Sequence, residues 1–206
     1  MVGTNGEKKV VKEIIDNGSK YLAGDDLHGF YQYALNSLKD YGTLGTYDII
    51  GSITEIFDKC GIPLHDYFSQ LGYIPAGFCS NAPIPKEFIS NKTLSFDKDV
   101  NYIGEFAFHY TDTYNVDTLD LRNVETVKMG AFDNCIVDTI ILGEELIKYL
   151  IGGGKQYVDN IFSFCQVSTL EIPQKFEDTD ISRVLYNLFV FSSTCVTAGE
   201  FNIYYY

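Results

Sequence analysis

Apolar residues recur at two different periods along this 206-residue chain, and the change falls near residue 75. Between Glu7 and Leu22 they stand at Val10, Val11, Ile14, Ile15 and Leu22, the three-to-four spacing of one helix face. Gly24-Asp25-Asp26 then offers a helix start, with two acids suited to the positive end of the next helix dipole. Leu27, Phe30, Tyr31, Ala34 and Leu38 make the stripe of that helix, which ends near Tyr41-Gly42. A third helix is predicted from Tyr47 to Lys59, with Ile50, Ile53 and Phe57 inward and Gly61 as its stop. A shorter fourth runs from Ile62 to Gln70, since Pro63 is tolerated in a first turn.

Beyond Pro75, Pro83 and Pro85 the period drops to two. Val116-Asp117-Thr118-Leu119-Asp120-Leu121, Val137-Asp138-Thr139-Ile140-Ile141-Leu142 and Val167-Ser168-Thr169-Leu170-Glu171-Ile172 are versions of one strand phrase. Asn91-Lys92-Thr93-Leu94-Ser95-Phe96 is a weaker first copy, and Glu200-Phe201-Asn202-Ile203 a last one. The anchors Leu94, Leu119, Ile140 and Leu170 are spaced by 25, 21 and 30 residues. A unit recurring in this way buries its apolar face against its neighbours rather than alone. Gly152-Gly153-Gly154 in the longest interval reads as a flexible insertion.

Ile103-Gly104-Glu105-Phe106-Ala107-Phe108 and Val127-Lys128-Met129-Gly130-Ala131-Phe132-Asp133-Asn134-Cys135 precede two of these phrases, and Leu170-Glu171-Ile172-Pro173 closes another. Together they resemble the BspA-type leucine-rich repeat, whose unit carries an Ala-Phe-x-x-Cys segment before a strand that ends in Pro. The likeness covers about residues 91–206, although the Gly is absent before Phe162 and Phe189-Val190-Phe191 is degenerate. Joined to the helices read from the spacing of the first third, it implies an α+β fold: an N-terminal helical bundle followed by a short, irregular leucine-rich-repeat solenoid. The expected organisation is a helical cap domain at 1–75, a Pro- and Gly-containing connector at 76–90 and a repeat domain at 91–206. Gly61-Ile62-Pro63-Leu64 and Leu71-Gly72-Tyr73-Ile74-Pro75 are similar to the helical leaders of uncharacterised bacteriophage proteins.

Strand parity then names a surface. If the recurrent aliphatics face inward, Thr118, Asp120, Thr139, Ile141, Thr169 and Glu171 face outward. Thr93 and Ser95 extend the row at one end, and Glu200 and Asn202 at the other. Ile141 stands out in this row, because an exposed aliphatic has no structural need to be there.

Charge narrows the partners. The net charge is −13, and residues 76–206 alone carry nine basic and eighteen acidic groups. Direct nucleic-acid binding and attachment to an anionic membrane are disfavoured, and a basic protein surface is favoured. The 16 Tyr and 15 Phe, without Trp, suffice to fill a core and leave Tyr for the surface. Five Cys without CxxC spacing argue against a disulfide framework or a zinc site. Cys135, Cys165 and Cys195, spaced by 30, read as fillers of an inner bend. The N-terminal residues carry no apolar leader, and no stretch reaches the length of a membrane span, so the expected location is a reducing cytoplasm.

Motifs for chemistry fail on inspection. Gly152-Gly153-Gly154-Lys155 lacks the first Gly and the Ser or Thr of a phosphate loop, which are Tyr149 and Gln156 here. His28, His65 and His109 show no paired-ligand spacing, and no Gly-x-Ser-x-Gly elbow occurs. The expectation is a protein without catalytic residues, metal or cofactor that binds another protein through its strand face. The bacteriophage likeness would place that partner in a host cytoplasm. Two alternatives stand beside it: an acidic mimic of nucleic acid that inhibits a host or defence enzyme, and a structural or adhesive virion subunit.

Overall fold

The computed structural model describes residues 5–24, 26–40, 46–80, 84–111, 116–152, 160–189 and 201–206. Its contacts divide the chain into two units, Met1–Leu71 and Gly72–Tyr206.

The described part of the first unit consists of α1 (Asn5–Leu22), α2 (Leu27–Asp40), α3 (Thr46–Lys59) and α4 (Leu64–Leu71). Their bounds lie within two residues of those predicted by the spacing. Asp26 caps α2, its Oδ1 accepting the Gly29 N–H at 2.8 Å. Phe30, Tyr31, Ala34 and Leu38 are buried along one face of α2, as the stripe requires. Aromatic rings knit the helices together: Phe30 lies 5.3 Å from Phe57, and Tyr31 stacks on Tyr67 at 5.1 Å. The buried Tyr67 hydroxyl finds its polar partner in His28 Nδ1 at 3.2 Å.

The second unit contains β1 (Tyr73–Ile74), β2 (Ile89–Ser90), β3 (Thr93–Ser95), β4 (Tyr102–Ile103), β5 (Thr118–Leu121), β6 (Thr126–Val127), β7 (Thr139–Leu142), α5 (Glu144–Gly152), β8 (Thr169–Ile172), α6 (Ser182–Phe189) and β9 (Asn202–Tyr205). A three-stranded parallel sheet has the order β1-β4-β6. A six-stranded sheet has the order β2-β3-β5-β7-β8-β9, parallel except for the β2–β3 hairpin. Asn91 and Lys92 form that hairpin's two-residue turn, with φ of 48° and 61°. Along the large sheet Leu94, Leu119, Ile140, Leu170 and Ile203 are register partners, and the first four are buried.

Three turn-rich runs, at 104–111, 128–135 and 160–165, connect these strands and lie in register. The N–H groups of Phe106, Phe108 and Tyr110 donate to the carbonyls of Met129, Ala131 and Asp133. Those of Gly130, Phe132 and Asn134 donate in turn to Asn160, Ile161 and Ser163. This register stacks three buried rings, with Phe108 on Phe132 at 5.1 Å and 1°, and Phe132 on Phe162 at 5.4 Å and 13°. Beside the stack, Cys135 Sγ donates to the Phe108 carbonyl at 3.4 Å and Cys165 Sγ to the Phe132 carbonyl at 2.9 Å. Thr111 Oγ1 plays the same part toward the Cys79 carbonyl at 2.9 Å. Burial pushes the Cys135 thiol far above its usual range, with a further push from Asp133, so it stays protonated. These two cysteines pack as the inner-bend reading requires, and Cys195 lies outside the described residues.

The expected fold class, a helical bundle followed by a leucine-rich-repeat solenoid, is corrected. The described residues form a mixed α/β structure with two sheets, one parallel and one mixed, and six helices. Period two stops at Leu142. Leu146, Ile147 and Leu150 then fall at helical spacing and are buried as the inner face of α5. Val184 and Leu188, four apart, do the same in α6, and Asn187 Nδ2 donates to the Leu150 carbonyl at 2.7 Å. Phe189, the first residue of the degenerate repeat copy, ends α6, and Val190 and Phe191 lie outside the described residues. Gly152 is the last residue of α5, while Gly153, Gly154 and Lys155 lie outside the described residues. The stretch 76–90, expected as a connector, is built into the second unit, where Phe78, Cys79, Ile84 and Phe88 are buried.

The ring stack sets a stability test. Phe132→Ala leaves a hole between two rings and should lower unfolding free energy by about 3–5 kcal/mol in urea titration. Phe132→Leu keeps most of the volume and should lower it by less.

Candidate binding face

The register of the six-stranded sheet turns strand parity into two straight rows. Thr93, Thr118, Thr139, Thr169 and Asn202 stand side by side. Ser95, Asp120, Ile141, Glu171 and Tyr204 form the second row, two residues further along each strand. Their neighbours Leu119, Leu121, Ile140, Leu142, Leu170 and Ile172 are buried, which leaves the rows on the outer face. The side chains from β3, β5, β7 and β8 are half-exposed, and Asn202 and Tyr204 are exposed. With strands about 4.8 Å apart, the Thr93–Asn202 row is roughly 19 Å long.

Six predicted residues, Thr118, Asp120, Thr139, Ile141, Thr169 and Glu171, are therefore brought together, with Asn202 opposite Thr169. Glu200 lies outside the described residues. The place opposite Glu171 belongs to Tyr204, which sequence reasoning missed. The signal was there: alternation continues through Asn202, Tyr204 and Tyr206 to the last residue of the chain given.

Charged groups flank the rows. Beyond β5, the Arg122 guanidinium grips Asp120 with a two-point fork, Nε to Oδ1 at 2.9 Å and Nη2 to Oδ2 at 2.5 Å. The Arg122 N–H also donates to Asp120 Oδ1 at 3.1 Å. Burial alone would raise the Asp120 carboxyl, but the hydrogen bonds and charge of Arg122 outweigh it and hold the group below its usual range. Arg122 is raised in turn, chiefly by Asp120, with smaller contributions from Tyr206 and Glu171. The Tyr206 hydroxyl donates to the Leu142 carbonyl at 2.9 Å. Burial raises Tyr206, as do the charges of Asp120 and Glu171, against the opposing pull of Arg122. On the other flank Lys92 meets Asp117 at 3.0 Å, and Asp138 is exposed beside them.

The two rows thus set four threonines and Ile141 between the Lys92–Asp117 pair on one flank and the Asp120–Arg122 pair on the other. Among the described residues no group of three or more His, Cys, Asp or Glu could hold a metal ion. No helix among them is long and apolar enough to cross a membrane. Comparison with family models, curated proteins and solved structures yields no match to this chain.

The Asp120–Arg122 fork has a titration signature. Because the Asp120 pKa lies below its unfolded value, its stabilising contribution is complete above that unfolded value, about 3.9, and is lost as pH falls through the folded one. Arg122→Gln should raise the Asp120 pKa in a carbon-detected NMR titration and shrink the loss of stability between pH 5 and pH 2. An unmoved Asp120 would show that the fork does not hold in solution.

Proposed function

We propose that this chain is a non-enzymatic protein-binding module, and that the outward face of the six-stranded sheet takes the partner. The observation that carries this reading is the position of Ile141. It sits half-exposed between Asp120 and Glu171, at the middle of two aligned rows. A solubilising face would place a charged or polar residue there, whereas an apolar centre with a polar rim suits another protein. The excess of acid in this unit favours a partner with a basic or mixed surface. The likeness of the leader to bacteriophage proteins points to a partner in a host cytoplasm.

The acidic-mimic reading is weaker on this face. Lys92 and Arg122 neutralise Asp117 and Asp120, so the acids do not form an uninterrupted array of the kind phosphates present.

The test is capture from host lysate by the immobilised chain and by Ile141→Ala/Glu171→Gln, both checked for folding by circular dichroism. A partner retained by the parent chain should bind the variant at least tenfold more weakly, with the unfolding midpoint unchanged. Equal retention would move the site off this face. The parent interaction should also weaken only moderately between low and high salt, whereas a steep fall would favour the acidic mimic.

A further inference from the structure

The turn-rich runs carry a feature that neither the core nor the sheet face explains. Each run has two residues in the left-handed backbone region, four apart. In the middle run these are Gly130 at φ 63° and Asn134 at φ 60°, residue types that adopt this conformation readily. In the runs on either side the corresponding positions include Phe106, Tyr110 and Phe164, at φ 54°, 52° and 57°. Bulky aromatics are strained there, and burial does not compensate, since the three are 37%, 53% and 59% exposed. Strain combined with exposure twice opposes stability, which indicates that the rings serve something outside the chain.

Their surroundings indicate what. The His109 ring lies 5.4 Å from Phe106 and 4.3 Å from Tyr110, edge-on to both. The Phe106 ring crosses Gly130 so closely that a methyl group at that glycine would collide with it. Asp133 is half-buried on the middle run, its Oδ1 accepting the Ser163 N–H at 2.9 Å. Burial pulls this carboxyl above its usual range, against the hydrogen bonds from Ser163 and the field of His109. Among the described residues no Lys or Arg lies within ion-pair distance of Asp133. The Phe106 ring and Asp133 Oδ2 both lie against Gly130. An exposed ring thus stands beside a carboxylate that pairs with no Lys or Arg among the described residues, an arrangement complementary to a planar cation that stacks and pairs at once.

We propose that the edge formed by Phe106, His109, Tyr110, Asp133 and Phe164 is a second binding site, which takes an arginine side chain of a partner protein. The guanidinium stacks on the exposed rings and pairs with the Asp133 carboxylate. Arginine suits the site better than lysine, because its planar, weakly hydrated group stacks on aromatic faces while keeping its hydrogen bonds. The site is separate from the sheet face and stands or falls independently of it.

The experiment uses the full chain and a fluorescein-labelled hexa-arginine peptide, with hexalysine as control. Tyr110→Asn/Phe164→Asn installs the residue that the middle run already uses at this place. It should raise the unfolding midpoint by relieving strain, and weaken hexa-arginine binding at least tenfold. Asp133→Asn should lose binding to the same extent while remaining folded. Ile141→Ala/Glu171→Gln should bind the peptide within twofold of the parent, which separates this site from the sheet face. Equal binding by the parent and Tyr110→Asn/Phe164→Asn would overturn the proposal, as would a lowered midpoint in that variant or hexalysine bound as tightly as hexa-arginine. Association of the parent, but not the variant, with neutral phosphatidylcholine vesicles would assign the rings to a lipid surface instead.

Discussion

The Phe132 ring, held nearly parallel between Phe108 and Phe162, is the constraint on which the second unit depends. The backbones of the three turn-rich runs pair with one another, and pairing alone would tolerate a slip of one residue. A slip would carry His109, Asp133 or Ser163 into the place of a buried ring. The stack thereby fixes the register of the runs. From Phe132 to Thr139 and from Phe162 to Thr169 the chain takes the same seven residues, so there the threonine row follows the phenylalanine row. Core and surface are in this sense one arrangement seen from opposite sides.

How much of this could be read from the chain varied with the length of each element. Four-residue strands show their parity, and Leu119, Leu121, Ile140, Leu142, Leu170 and Ile172 all face inward as the alternation requires. Two-residue strands such as Tyr73–Ile74 show no period, so the three-stranded sheet was invisible. The hairpin at Asn91-Lys92 was hidden because its second residue is Lys, where such turns favour Gly. Helices α5 and α6 were missed for another reason. Each buries only two or three apolar side chains at helical spacing, and the strand phrases on either side invite the eye to continue at period two.

The two candidate surfaces differed in the same way. The sheet face was legible because parity decides it, while Tyr204, Tyr206 and the Lys92–Asp117 and Asp120–Arg122 pairs beside it were added by the structure. The aromatic edge was not legible at all. In a sequence so rich in Phe and Tyr, Phe106, Tyr110 and Phe164 look like core residues. Only the sign of their φ and their exposure separate them from Phe108 and Phe162, which stand two residues away from them in the same runs.

The parallel strands also explain why the spacing of the phrases can be so uneven. Register partners Leu94, Leu119, Ile140, Leu170 and Ile203 are 25, 21, 30 and 33 residues apart, so each pairing closes a loop of different length. Loop-closure entropy grows only with the logarithm of length, and lengthening a connection from 21 to 33 residues costs about 0.4 kcal/mol. The two longest connections are those that contain α5 and α6. Length is therefore nearly neutral in this architecture, and the connections are where a chain of this kind can acquire new elements without disturbing the faces it already presents.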